Sequence, residues 1–187
     1  MSRTAIVGID LGGTRVRVGR VVGSTIEAHH ARRISGRGEQ EVVLEEICQA
    51  VDEGLDDAVV GIGCAVPSVV DLERGIVRAV ENSPSWREVH LADLLDRRFG
   101  LPVAINNDAN AFVVGEHLYG VARGYRDVVG LTLGTGLGCG VILEGRLYTG
   151  GHCGAGEIGS IPHDGETLEF YCAGSYFPHA AGVSGEE

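Results

Sequence analysis

"IVGIDLGGTRVRVGRVV", residues 6–22, is an apolar strand ending in Asp10, then a Gly-Gly-Thr turn, then a second strand. The chain repeats this plan once, in "VVGLTLGTGLGCGVILE" at residues 128–144. Both Gly/Thr turns lead into a strand. A dinucleotide-binding βαβ unit is therefore excluded, because its glycine-rich turn opens a helix. Glycine-rich turns let backbone N–H groups converge on an anion, and Thr adds a hydroxyl donor. One such turn reads as an ordinary hairpin. The pair, with Asp10 and Asp108 alongside, reads as two loops that hold the phosphates of one nucleotide between them.

Outward from this repeat, "RTAIVGID", "RVRVGRVV" and "STIEAHHARRI" make a three-strand meander. Residues 38–56 carry Val42, Val43, Ile47, Ala50, Val51 and Leu55 at helical spacing. "DAVVGIGCAV" is a buried strand, and "VVDLERGIVRAV" turns back on itself around Glu73 to Gly75. "REVHLADLLDRRFG" reads as a short helix closed by Gly100. "LPVAINNDANAFVVGEHLYG", residues 101–120, is a strand running into a helix, with Asn106, Asn107, Asp108 and Asn110 at the junction. An antiparallel meander followed by alternating helices and strands predicts a mixed sheet of the α/β class. The pattern restarts after Gly120, so the expected domains are residues 1–120 and 121–187. "GCGVILEGRLYTG" is read as a hairpin through Glu144 and Gly145, and residues 151–187 as one or two helices.

Composition bounds the partners. The 187 residues are 44% hydrophobic and 22% charged, enough for a packed core. A formal charge of −11 repels nucleic-acid backbones and anionic membrane surfaces, so neither is an expected partner. All 15 basic residues are Arg. Without Lys there is no Walker A loop and no Schiff-base chemistry. The five cysteines form no C-x-x-C pair and no apolar run approaches membrane-spanning length. The chain opens directly into a strand, so a cytoplasmic protein with reduced thiols is expected.

"DLGGTRVRVG" resembles the phosphate motif of the ROK family of sugar kinases, within the actin and hexokinase group of ATPase folds. "INNDANAFVVGE" resembles that family's catalytic segment, "LGTGLGCGVILEGRLYTG" its second phosphate loop, and "GGHCGAGEIGS" its sugar-binding signature. These pieces stand in family order and span almost the whole chain. The resemblance implies ATP-dependent phosphorylation of a hexose hydroxyl, in a ribonuclease H-like fold. Asp108 would be the base that accepts the hydroxyl proton. Its alternative role is to cap the helix that follows, and the two are compatible.

By the same resemblance Asp10 would help place Mg²⁺, through water. Gly12, Gly13 and Thr14 would face the phosphates, with Arg17 in the family's Arg position or simply solvated on its strand. Gly134, Thr135, Gly136 and Gly138 would form the second loop, with Cys139 where the family often has Gly. Asn82 in "ENSPSWREV", Asn107, Asp108, Glu157 in "GAGEIG" and Glu169 in "TLEFYCAGSYF" would bind the sugar. A fixed carboxylate suits a polyol because it accepts two hydroxyls at once. Trp86, the only Trp, is expected to pack rather than stack.

Several departures accompany the resemblance. Ser160 replaces a His that many members carry after "GEIG", and "IPHDGETLEFYCAG" has one Cys where they have a Cys-rich zinc loop. No structural zinc is therefore expected. Ser68 in "AVPSVVD" stands where the family usually has Gly. The second domain stops short of mirroring the first, and no adenine pocket is visible. The expected function is a hexose kinase using ATP and Mg²⁺, as a homodimer. The alternative is a non-catalytic sugar-binding protein or fragment lacking the adenosine site. A family repressor is disfavoured because no DNA-binding segment precedes the first strand.

Overall fold

The computed structural model describes residues 4–36, 38–80, 83–174 and 176–182. The chain divides into two compact units, Met1–Asp108 and Ala109–Glu187.

In the first unit, β1 (Ala5–Leu11), β2 (Arg15–Val22) and β3 (Thr25–Arg33) form the meander. Helix α1 (Gln40–Asp52) follows, then β4 (Val59–Val66). A satellite sheet is built from β5 (Val70–Asp71), β6 (Ile76–Val80) and β7 (Ser83–Val89). Helix α2 (Leu91–Phe99) then leads to β8 (Val103–Asn107). The main sheet has five strands in the order β3-β2-β1-β4-β8. Its β1–β2 and β2–β3 pairs are antiparallel, while β1–β4 and β4–β8 are parallel. This is the mixed α/β sheet expected of the actin and hexokinase group.

Alternation decides the two faces of the sheet. Ala5, Val7, Ile9 and Leu11 of β1 and Val16 and Val18 of β2 are buried. They pack in one core with Val43, Ile47, Ala50 and Val51, the inward stripe of α1. Val42, beside that stripe, is half-exposed. Asp10 and Arg17 sit at the alternate positions, opposite each other in register, on the other face.

The predicted helix over residues 87–100 starts only at Leu91, because Ser83–Val89 pairs with β6 as a strand. Trp86 and Val89 are both buried although they are three residues apart. Glu88 between them has φ 51, and the β6–β7 register shifts between Ala79 and Val80, so strict alternation does not hold along β7. A period mixed in this way imitates a helix, which explains the difference. Helix α2 closes at Gly100, whose φ of 66 is the left-handed cap expected there.

In the second unit, helix α3 (Asp108–Tyr119) precedes the antiparallel strands β9 (Val128–Leu133), β10 (Leu137–Leu143) and β11 (Arg146–Leu147). Glu144 and Gly145, both at positive φ, make the β10–β11 turn. Gly130, Gly138 and Gly140 let α3 lie close on this sheet: a Cβ at Gly130 would stand 2.9 Å from Val113, and one at Gly138 2.8 Å from Ala109. A 3-10 turn (Ile158–Ser160), the hairpin β12 (Pro162–His163) and β13 (Glu166–Thr167), and helices α4 (Leu168–Cys172) and α5 (Tyr176–Ala181) follow. Tyr171 on α4 packs edge-on against His163 and donates its hydroxyl to the Asp164 carbonyl at 3.0 Å. No helix among the described residues is long and apolar enough to cross a membrane.

Complete burial, with the Asp10 carboxylate as a lesser cause, pushes the Cys64 thiol up to about 12 from its ordinary 9.0. The sign follows from which state gives up its proton first. The unfolded thiol ionises above about pH 9, while the folded one holds its proton to about pH 12. Stability from this group is therefore intact below pH 9 and is lost progressively between the two values. In native protein at pH 8, Cys64 is expected to resist a thiol reagent that labels exposed Cys172, as peptide mapping will show.

Candidate active site

The parallel strands bring their carboxyl ends to one edge, where α/β proteins place their ligands. Asp10 on β1 is in register with Ala65 on β4, and Ala65 with Asn106 on β8. Asn107 ends β8 and Asp108 opens α3, so both belong to this same edge. Asp108 is exposed. Its carboxylate sits in the first turn of α3, where the helix N-terminus favours negative charge.

Asn107 is held from two sides. Its backbone N–H donates to Asn106 Oδ1 at 2.9 Å, and its side-chain amide donates to the Ser68 carbonyl at 3.3 Å. Ser68 is 9% exposed and lies just after β4. The position that departs from the family's Gly thus contributes its backbone to orienting Asn107. Sequence reading flagged Ser68 only as a change of side chain.

The first Gly/Thr turn connects Leu11 to Arg15 and is closed by the Gly12 N–H donating to the Arg15 carbonyl at 2.8 Å. Ile34 N–H donates to the Thr14 carbonyl at 3.1 Å and braces the turn from behind. Gly13 and Thr14 form the tip of this turn, between Leu11 and Arg15. Gly36 backs this turn so tightly that a Cβ there would overlap the Gly13 carbonyl. Sequence reading missed Gly36. Its signal was a glycine in the β3–α1 connection, indistinguishable in one sequence from a flexible loop residue.

Arg17 is not a free cation. Its Nη1 lies 2.8 Å from Asp10 Oδ2, an exposed cross-strand pair. Such a pair orients the carboxylate more than it stabilises the fold. An Asp10 carboxylate beside a strand end offers the hard oxygen donor that Mg²⁺ prefers, so the residue fits that ion in chemistry.

In the second unit the Gly134–Gly136 turn joins β9 to β10, with Gly134 N–H donating to the Gly136 carbonyl at 3.0 Å. Thr135 at its tip is exposed, and Gly138 lies within β10. Glu157 is exposed at the start of the 3-10 turn. Glu169 stands on α4, and its Oε2 accepts the Leu137 N–H at 2.9 Å. One oxygen of that carboxylate is thus engaged by the second turn. Asn82 lies outside the described residues. Among those described, no cluster of three His, Cys, Asp or Glu side chains is arranged to hold a metal.

The profile of the ROK family matches residues 6–176. A glucokinase from Thermotoga maritima is 39% identical over 165 residues, which cover 86% of this chain and 51% of that protein. A xylose repressor from Caldicellulosiruptor bescii is 32% identical over 163 residues, 83% of this chain and 40% of the repressor. The crystal structure of a ROK family glucokinase from Streptomyces griseus, in complex with glucose and AMPPNP, superposes with a TM-score of 0.83 at 32% identity. That match covers 94% of this chain and 59% of the other. The chain spans about half the length of the curated relatives it matches. The order of its motifs, the sheet that carries them and these matches agree: the chain belongs to the ROK family.

Proposed function

We propose that this chain carries the catalytic edge of an ATP-dependent hexose kinase, with Asp108 as general base. The observation that supports it most is the common strand edge at which Asp10, Asn107 and Asp108 stand, in a chain similar to glucokinases. In the proposed reaction the sugar hydroxyl oxygen attacks the terminal phosphorus of ATP. The bond from that phosphorus to the bridging oxygen breaks, ADP leaves, and Asp108 takes the hydroxyl proton. Asn107, held by Ser68 and Asn106, orients the hydroxyl beside it. Gly12, Gly13 and Thr14 form one phosphate turn and Gly134, Thr135, Gly136 and Gly138 the other. Asp10 would help hold Mg²⁺ through water, and the ion would supply neutralisation of phosphate charge. Asn82, Glu157 and the remaining oxygen of Glu169 accept or donate to ring hydroxyls. A homodimer and the boundary of two family domains near residue 120 are parts of the same proposal.

The repressor match favours a second reading, in which the chain binds sugar without transferring phosphate. Two measurements on this polypeptide separate them. Titration calorimetry with glucose, fructose, mannose and N-acetylated hexosamines reads binding. Coupled ADP release with the same sugars and Mg·ATP reads transfer. Heat with sugar-dependent ADP release is the expected result. Heat alone selects the sugar-binding reading, and no heat from any hexose overturns both.

A further inference from the structure

Three glycines of the second unit converge on one junction. A Cβ at Gly136 would stand 2.6 Å from Glu169 Oε2, and one at Gly159 would stand 2.8 Å from the Leu137 carbonyl and 3.4 Å from the Glu169 side chain. At Gly174 a Cβ would lie 3.2 Å from the Gly134 carbonyl. The β9–β10 turn, the 3-10 turn and the end of α4 are thus packed backbone against backbone. Two hydrogen bonds close the junction. Gly174 N–H donates to the Gly134 carbonyl at 2.7 Å, holding the start of the turn, and Glu169 accepts the Leu137 N–H at 2.9 Å, holding its end.

A carboxylate is an unexpected neighbour for a turn that is to receive phosphate, since like charges repel at short range. Its use here is geometric. It takes the Leu137 amide out of the anion's reach and anchors the far side of the turn. Thr135, at the tip of the turn, is exposed, while Gly136 is half-buried against Glu169. Thr167 caps α4 by accepting the Phe170 N–H at 3.3 Å, which fixes the helical turn that carries Glu169.

We propose that Glu169 is a positioning residue: through the Leu137 amide it holds the Gly134–Leu137 turn in its phosphate-receiving shape. This rests on the reading of that turn as a phosphate loop. The test is amide hydrogen exchange by NMR on the whole chain, with Glu169→Ala, Glu169→Asp and Glu169→Gln compared. Loss of one anchoring hydrogen bond is expected to speed exchange at Leu137 by about tenfold in the Ala and Asp variants. Asp keeps the charge but is one methylene too short. Gln keeps the reach and an acceptor oxygen, so it is expected to hold Leu137 near the native rate while Val129 and Val141 stay unchanged in all three. If Leu137 exchanges at the native rate in both short variants, the proposal is overturned. Should the Ala variant not fold, the Asp and Gln pair decides alone. Adding Mg·ATP is expected to shift the Thr135 and Gly136 amides in the native chain and less in the Asp variant. No shift in the native chain would sink the phosphate reading and leave the anchoring role of Glu169 standing on the exchange data.

Discussion

Replacing Asp108 with Asn is expected to lower the rate of hexose phosphorylation by about 10²- to 10⁴-fold, the usual contribution of a positioned general base. The substitution is chosen because it separates the two roles that one sequence allows. In the first turn of α3, Asn keeps the size and polarity of Asp and gives up only the charge that the helix N-terminus favours, about 0.3–1 kcal/mol. A residue that only began α3 would therefore tolerate Asn with little change in rate or melting temperature. A base cannot, because an amide does not accept the hydroxyl proton. The loss is expected in kcat measured by coupled ADP release at saturating sugar, with calorimetric sugar affinity held within a few-fold. Full activity in Asp108→Asn would remove Asp108 from the mechanism while leaving the fold and family untouched.

Trp86→Ala is expected to cost about 3–5 kcal/mol of stability, the range for deleting a large buried aromatic. Trp86 is 2% exposed and packs in the core of the first unit with the inward faces of β1, β2 and α1. It also lines a small cavity with Leu11, Gly12, Ile34 and Gly36, the residues that back the first Gly/Thr turn. Its indole N–H is buried without a hydrogen-bond partner among the described residues, so the ring is held by packing. Trp86→Phe keeps most of that packing and is expected to be markedly milder. Urea unfolding followed by circular dichroism measures both variants. A midpoint for Trp86→Ala within error of the native one would show that the ring does not support this core.

The edge carrying Asp108 and the core carrying Trp86 differ in how far they could be read from sequence. The β1–turn–β2 and β9–turn–β10 units were legible because strand alternation and Gly/Thr turns are local signals. So was α1, whose stripe of Val43, Ile47, Ala50 and Val51 is buried as its spacing predicts. Residues Ser83–Val89 were not legible as a strand. Buried Trp86 and Val89, three residues apart, do not alternate, and the pairing with β6 that defines β7 is non-local. Arg17 was read as a solvated side chain or a family position. Only the register of β1 against β2 shows that it faces Asp10.

What the sequence by itself determined is the inventory: the two Gly/Thr turns, an acidic residue at the end of a strand and another at the start of a helix, and a family order of motifs. Those features are set by backbone propensity and hydrophobic period, which act over a few residues. Tertiary structure alone decided which of them meet. The parallel register of β1, β4 and β8 places Asp10 on the edge that Asn107 and Asp108 share. The close approach of Gly36 to Gly13, of Ser68 to Asn107 and of Glu169 to Leu137 joins residues separated by 23, 39 and 32 positions. Contacts at that separation form when buried surfaces pack, and no local signal in the chain announces them.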